Sequence, residues 1–229
     1  MKYFKIIITL LLVILTVLLF SGQAKTVSGF STMNYDIFDD SYDVEEIPNF
    51  LTKEECDAII RISSDRLFDS AVFKREGDTQ DATVRISKQC WLMDTDDLII
   101  KNISDRIATR TNTNIRLQEQ LQVVKYDPNG FYKPHFDACD SSAEDYCERM
   151  NRGMGPRYIT FLMYLNDDFD GGETFFPQIN KKVVPQLGKA VLFYSVNDNG
   201  VLLQKSLHGG LPVQGGEKWI ANKWIHLGH

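Results

Sequence analysis

Basic residues are outnumbered and nowhere gathered in this chain: Lys and Arg total 25 against 31 Asp and Glu, a net charge of −6. No stretch interleaves them with aromatics, so the molecule would repel a phosphate backbone, and no nucleic-acid partner is expected. Cysteine is scarce. Cys56, Cys90, Cys139 and Cys147 fit no CxxC zinc pattern. Cys139 and Cys147 alone lie close together, flanking the polar stretch from Asp140 to Tyr146. In an oxidising compartment they are expected to staple that loop, and two free thiols are the alternative. Internal repeats and low-complexity tracts are missing. With 43% hydrophobic and 24% charged residues in 229, disorder of the whole chain is excluded, and one catalytic-size domain with an ordinary core is expected.

Long apolar runs are missing too, except at the start. Met1-Lys2-Tyr3-Phe4-Lys5 gives way to a chargeless run from Ile6 to Phe20, a basic flank followed by a hydrophobic segment of targeting type. The run is short against the roughly 20 residues of a bilayer-spanning helix, and the sequence offers no clean small-x-small cleavage site. Residues 1–24 therefore read as a signal-anchor, with a cleaved signal peptide as the alternative. The expected location is a single-pass type II membrane protein, or the lumen of the secretory pathway and endoplasmic reticulum. Residues 25–44 read as a stem, and the domain is expected over 45–229.

Within that domain, Thr52 followed by Glu55 and an apolar-periodic run through Ile59, Ile60 and Ile62 predicts a capped helix. A second helix is predicted from about Asp96 to Thr109. Beyond Leu117 the period shortens to that of strands, in the runs Leu121–Tyr126, Tyr158–Leu165, Ala190–Ser195 and Trp219–Ile225. Glycine and proline punctuate them, and Asp127-Pro128-Asn129-Gly130 reads as a type I turn. Helices beside successive antiparallel strands predict an α+β fold: a double-stranded β-helix, or jelly-roll, core flanked by N-terminal helices.

Histidine is scarce as well, with four in all. In a strand, His135 and Asp137 point to the same face and could reach one ion. His208 would complete a two-His, one-carboxylate set, the arrangement that leaves coordination positions open on non-haem Fe(II). An HxD pair alone is a weak signal, since a lone histidine is more often a hydrogen-bonded structural residue. Lys218 shares a strand face with Ile220, Asn222 and Trp224, and an inward lysine needs an anionic partner; the alternative is a solvated lysine beside a turn. His226 and His229 are taken as structural or terminal. Asn102-Ile103-Ser104 is a sequon of little weight.

Three segments decide between these readings. The first is Gln122-Val123-Val124-Lys125-Tyr126 through Gly130, Tyr132, His135 and Asp137. The second is Arg157-Tyr158-Ile159-Thr160-Phe161-Leu162-Met163-Tyr164-Leu165-Asn166 with Gly171-Gly172-Glu173-Thr174-Phe175-Phe176-Pro177. The third is Leu207-His208-Gly209-Gly210 with Gly216-Glu217-Lys218-Trp219 and Lys223-Trp224-Ile225-His226. Together they resemble the prolyl 4-hydroxylase family, with coverage from about Val44 to the C-terminus. The resemblance implies a double-stranded β-helix and dependence on Fe(II), 2-oxoglutarate, O2 and ascorbate. It also implies hydroxylation of peptidyl proline to 4-hydroxyproline in a proline-rich or collagen-like peptide, with release of succinate and CO2. By position it implies iron ligands at His135, Asp137 and His208, and Lys218 pairing with the far carboxylate of 2-oxoglutarate, assisted by Tyr126 and Thr174. Arg157, Trp224 and Tyr132 would line the peptide groove, and the stretch from Cys139 to Pro156 would form a lid. The rival readings are a 2-oxoglutarate oxygenase with another substrate, such as peptidyl lysine, and a catalytically silent peptide-binding module. A zinc hydrolase is disfavoured because no general base accompanies the three ligands in a recognisable motif.

Overall fold

The computed structural model describes residues 40–72, 77–139 and 144–228. The apolar segment 1–24 and most of the expected stem lie outside them. Among the described residues no helix is long and apolar enough to cross a membrane.

In chain order the elements are β1 (Glu45–Ile47), α1 (Lys53–Ser63), β2 (Phe68–Asp69), β3 (Arg85–Ile86), β4 (Lys88–Leu92), α2 (Leu98–Thr111), β5 (Leu121–Tyr126) and β6 (Phe131–His135). They continue with α3 (Glu144–Asn151), β7 (Arg157–Tyr164), β8 (Asp170–Gly171), β9 (Thr174–Phe176), β10 (Lys181–Val183), β11 (Ala190–Tyr194), β12 (His208–Gly210), β13 (Val213–Gly215) and β14 (Lys218–His226). Seven strands form the larger sheet in the order β1-β11-β7-β14-β5-β4-β2, and five form the smaller in the order β10-β9-β12-β6-β3. Every pairing in both sheets is antiparallel. This is the jelly-roll core that the strand spacing predicts.

The helices form where the sequence supplies caps. Thr52 Oγ1 accepts from the Glu55 amide, and the Glu55 carboxylate accepts from the Thr52 amide, closing the predicted capping box of α1. Asp97 caps α2 through its carboxylate on Ile99 N, so that helix starts just after the predicted point and ends at Asn112, a left-handed residue with φ 51. One turn differs from expectation. Gly130 N donates to Asp127 O at 2.8 Å, but Asn129 has φ 68, which makes the turn type II. Pro128 suits the second position of either type; the asparagine, which tolerates positive φ, decides between them.

Both faces of the larger sheet are buried, and strand alternation sorts residues between two cores. Outward, Val123, Phe161, Met163, Ala221 and Ile225 pack with Ile59, Ile100, Ile103 and Ile107 of the helices. Inward, Val124, Tyr126, Leu162, Tyr164 and Ile220 face Phe176, Val183 and Val213 of the opposing layer. Packing already begins upstream of β1, where Tyr42 meets Tyr194 edge-on and Val44 joins the inner core.

The loop ahead of α1 is locked to the loop before β11 by Leu51 N donating to Gly188 O at 2.9 Å. Gly188 has φ +74, and a Cβ there would lie 2.2 Å from Leu51 O, so no other residue fits without backbone movement. Gly188→Ala is expected to lower the unfolding free energy by more than about 1 kcal/mol. Denaturant titration of the full chain checks this, and an unchanged midpoint contradicts the packing.

Candidate active site

The smaller sheet brings two histidines face to face. His135, the last residue of β6, is the register partner of His208, the first residue of β12. The two strands approach so closely at Gly209 that a Cβ would sit 2.8 Å from Tyr132 O and 2.9 Å from Pro134 N. Asp137 follows β6 and turns its carboxylate between the imidazoles, with Oδ1 3.6 Å from His135 Nε2 and Oδ2 3.7 Å from His208 Nε2. The ligand atoms of all three residues lie within 4.8 Å of one another, close enough to share one ion.

The surrounding chain fixes their chemistry. His135 Nδ1 lies 2.9 Å from Lys133 O, and His208 Nδ1 lies 2.9 Å from Ser206 O. A carbonyl can only accept, so each Nδ1 carries the proton and each Nε2 presents a lone pair to the centre. Burial pushes the His208 imidazole down to about 4 and keeps it neutral, against the pull of the Asp137 charge. Burial alone would raise the Asp137 carboxyl, but the His208 and His135 imidazoles, in their protonated form, and the Arg157 guanidinium outweigh it and hold the group far below the usual carboxylate range. Thr160 of β7 donates its hydroxyl to Asp137 Oδ2 at 2.7 Å. Two neutral nitrogens and a carboxylate on one side of an ion are the donor set that non-haem Fe(II) takes in a facial triad. The residues present fit that metal.

These residues sit in the wall of a cavity of about 450 Å³ that also receives Tyr126, Tyr132, Arg157, Thr174, Lys218 and Trp224. All nine site residues marked in the sequence are thus brought together. Lys218 is 2% exposed. Its Nζ donates to Gly172 O at 2.6 Å and stands 5.2 and 5.7 Å from the ring centroids of Tyr126 and Tyr164. Burial pushes its ammonium down to about 7 despite the Glu173 charge. Thr174 Oγ1 is 2.7 Å from the Tyr164 hydroxyl. Burial also raises the Tyr126 phenol above its ordinary value.

Nearer the mouth, Tyr132 stacks on His135 with ring centroids 3.6 Å apart. The Arg157 guanidinium lies 3.7 Å from the Trp224 ring centroid. That guanidinium is already engaged: it grips Glu119 at 2.5 and 3.1 Å, and His226 Nε2 meets the same carboxylate at 3.1 Å. Burial works to raise Glu119, yet the hydrogen bond from His226 and the Arg157 and Arg152 guanidinium groups bring it to about 2. Arg157 is an ion-pair member, half-buried in the cavity wall. His226 is structural, as expected.

Sequence reasoning passed over Thr160, Glu119, Tyr164 and Arg85, whose Nε donates to Ser87 Oγ at 2.8 Å and whose guanidinium lies 4.7 Å from the Tyr132 ring centroid. Thr160 carried a signal, since it alternates onto the inner face with Leu162 and Tyr164. Cys139 and Cys147 form the expected disulfide, so the segment after Asp137 is tied to α3, from which Arg149 and Met150 reach the cavity rim.

Known proteins resemble this chain. Residues 121–226 match the family model of the 2OG-Fe(II) oxygenase superfamily. A protein of Acanthamoeba polyphaga mimivirus described as a prolyl 4-hydroxylase is 35% identical over 207 residues, covering 90% of this chain and 83% of that one. Prolyl 4-hydroxylase 13 of Arabidopsis thaliana is 33% identical over 195 residues, 78% of this chain and 69% of the relative. Among solved structures, the viral collagen prolyl hydroxylase of Paramecium bursaria Chlorella virus-1, in complex with 2OG, superposes with a TM-score of 0.63 at 30% identity, over 80% of this chain and 94% of that one.

Thr160→Val keeps the shape of the side chain and removes the donor to Asp137 Oδ2. Fe(II) affinity is expected to fall about 10- to 100-fold with the melting temperature little changed. Metal titration under anaerobic conditions reads it, and unaltered affinity contradicts the supporting role.

Proposed function

Because the chain belongs to the prolyl 4-hydroxylase family of the 2OG-Fe(II) oxygenases, we propose that His135, Asp137 and His208 hold Fe(II) and that Lys218 anchors the 2-oxoglutarate. The protein is a 2-oxoglutarate-dependent dioxygenase of the prolyl hydroxylase type and hydroxylates peptidyl proline. The observation that carries the residue assignments is the convergence of the three ligand atoms on a cavity that a fully buried lysine also lines.

Iron at this site supplies the oxidising chemistry that, with O2 and conversion of 2-oxoglutarate to succinate and CO2, replaces a proline C4 hydrogen by hydroxyl. The chain's own residues bind and orient. Lys133 O and Ser206 O fix the imidazole tautomers, and the Thr160 hydroxyl fixes Asp137. Lys218 supplies a compact positive charge to the distal carboxylate of the cosubstrate, with the Tyr126 and Thr174 hydroxyls beside it. Leu162 and Ile220 line the cavity between these groups and exclude water from it. Arg157, held by Glu119 and stacked on Trp224, forms with Tyr132 the flat aromatic and guanidinium surface that a proline-rich or collagen-like peptide would meet. Such a peptide is preformed in an extended helix and loses little entropy on docking. Ascorbate is the proposed reductant that keeps the iron ferrous. The Cys139–Cys147 disulfide supports an oxidising, luminal setting for the domain. A membrane anchor in residues 1–24 fits that setting, as does a stem leading to the domain over 45–229.

The direct assay loads the full chain anaerobically with Fe(II) and 2-oxoglutarate, admits O2, and measures succinate together with oxygen added to proline-rich peptides. Equal yields of succinate and 4-hydroxyproline are expected. Oxygen on lysine, or succinate without peptide product, would replace the reading with one of its rivals.

Lys218 gives this function a pH signature. The distal carboxylate needs the charged ammonium, whereas the free protein loses that charge above about 7. Binding above that pH therefore takes up a proton, and 2-oxoglutarate affinity should weaken as pH rises from 7, approaching about tenfold per unit. Calorimetry at pH 8 in buffers of different ionisation enthalpy detects the uptake. Lys218→Met should bind weakly and without that slope; an equally steep slope in the variant removes Lys218 from the role.

A further inference from the structure

Gln89 on β4, Gln122 on β5 and Asn222 on β14 join their side-chain amides across three neighbouring strands. Asn222 Nδ2 donates to Gln122 Oε1 at 3.1 Å, and Gln122 Nε2 donates to Gln89 Oε1 at 2.8 Å. Gln89 and Gln122 are 8% and 4% exposed, and Asn222 stands directly opposite Gln122 in the β5–β14 register. The relay has a polarity: each amide oxygen takes its neighbour's N–H, and the last oxygen, Asn222 Oδ1, has none to take. It is a buried side-chain atom with no hydrogen-bond partner among the described residues, and so is Nε1 of Trp224, two residues along the same strand face. Both residues line the cavity that contains His135, Asp137 and His208. A buried acceptor and a buried donor left over in such a wall are costly unless the occupant supplies their partners.

We infer that Asn222 Oδ1 is a specificity-determining acceptor for a main-chain N–H of the peptide beside the target proline, with Gln122 and Gln89 as the positioning residues that hold its amide in this orientation. The inference rests on the peptidyl-proline reading above. It follows from the chemistry of the occupant. Trp224 Nε1 asks for a carbonyl, which every residue carries, proline included. Asn222 Oδ1 asks for an N–H, which proline lacks. The wall therefore accepts a target proline flanked by a residue with a free amide and discriminates against an unbroken proline run.

The test uses the full chain loaded with Fe(II) and 2-oxoglutarate in the absence of O2, and reads peptide dissociation constants by calorimetry. The probes are an alternating Xaa-Pro peptide, a poly-L-proline of equal length, and ester analogues in which each non-prolyl N–H of the alternating peptide is replaced in turn by oxygen. In the wild type one ester position should weaken binding about tenfold, and poly-L-proline should bind at least about tenfold more weakly than the alternating peptide. In Asn222→Ala that ester position should lose its effect, while 2-oxoglutarate affinity stays within about twofold. Gln122→Met should copy the loss, and Gln122→Glu, which keeps an oxygen facing Asn222 Nδ2, should recover most of it. A flat ester scan in the wild type, or an ester effect equally large in Asn222→Ala, overturns the inference and leaves the peptidyl-proline reading standing. These wild-type results need no variant to fold. No binding of any proline peptide by the wild type overturns both.

Discussion

The burial of one negative charge organises this molecule. The Asp137 carboxylate is 5% exposed, and an isolated ion so placed would be untenable. Its compensation comes from a hydroxyl of Thr160 in the larger sheet and the Arg157 guanidinium beyond it, and an imidazole from each of two paired strands of the smaller sheet stands beside it to share a cation. The β6–β12 register and the spacing between the sheets are therefore constrained by the same group. A slip of one residue in β12 would turn His208 away from the centre and strand the carboxylate.

Strand alternation makes that arrangement affordable. The larger sheet has helices on one face and the smaller sheet on the other, so both faces of β5, β7 and β14 are buried, and the two faces divide the work. The outer face is filled with Val123, Phe161, Met163, Ala221 and Ile225 against the helices, and this apolar cluster stabilises the fold without taking part in binding. The inner face can then carry groups that a core would otherwise reject: Thr160 on β7, Gln122 and Tyr126 on β5, and Lys218, Asn222 and Trp224 on β14. The one charge on the helix side of β14, Lys223, is matched at once by Asp94 at 3.3 Å. Among the described residues no carboxylate lies within ion-pair reach of Lys218; its ammonium rests on a carbonyl. That contrast separates a structural lysine from a ligand-binding one on a single strand.

This division was legible where it depended on local period. The Lys218, Ile220, Asn222, Trp224 face and the His135, Asp137 pair follow from a repeat of two, and the capping box from Thr52 and Glu55. The likeness of whole segments to a known family fixed His208, which no local rule could have tied to His135. What escaped depended on register between distant strands. Glu119 lies outside any regular strand, and nothing near it in sequence announces that it will hold Arg157 and His226. Thr160 was visible as an inward residue, but its pairing with Asp137 needs the distance between two sheets. The turn at Asp127 was placed correctly and typed wrongly, because Pro128 suits both types and only the conformation of Asn129 separates them.

Three unlike demands stand along the inner face, and each selects a different occupant. Asp137 with its two neutral imidazoles asks for a cation; Lys218, burdened by burial toward the loss of its proton, asks for an anion; Asn222 Oδ1 and Trp224 Nε1 ask for the donor and acceptor of a peptide chain. Lys218 and the two unpartnered atoms cost the empty fold stability, and each would be cheaper as a hydrophobic residue of similar size. Their occupants bind the folded chain and not the unfolded one, so each adds stability in proportion to its saturation. Substitutions that relieve these demands should therefore stabilise the empty protein while weakening the matching ligand. Substitutions in the outer cluster should do the reverse, which is the physical meaning of a sheet whose two faces serve different ends.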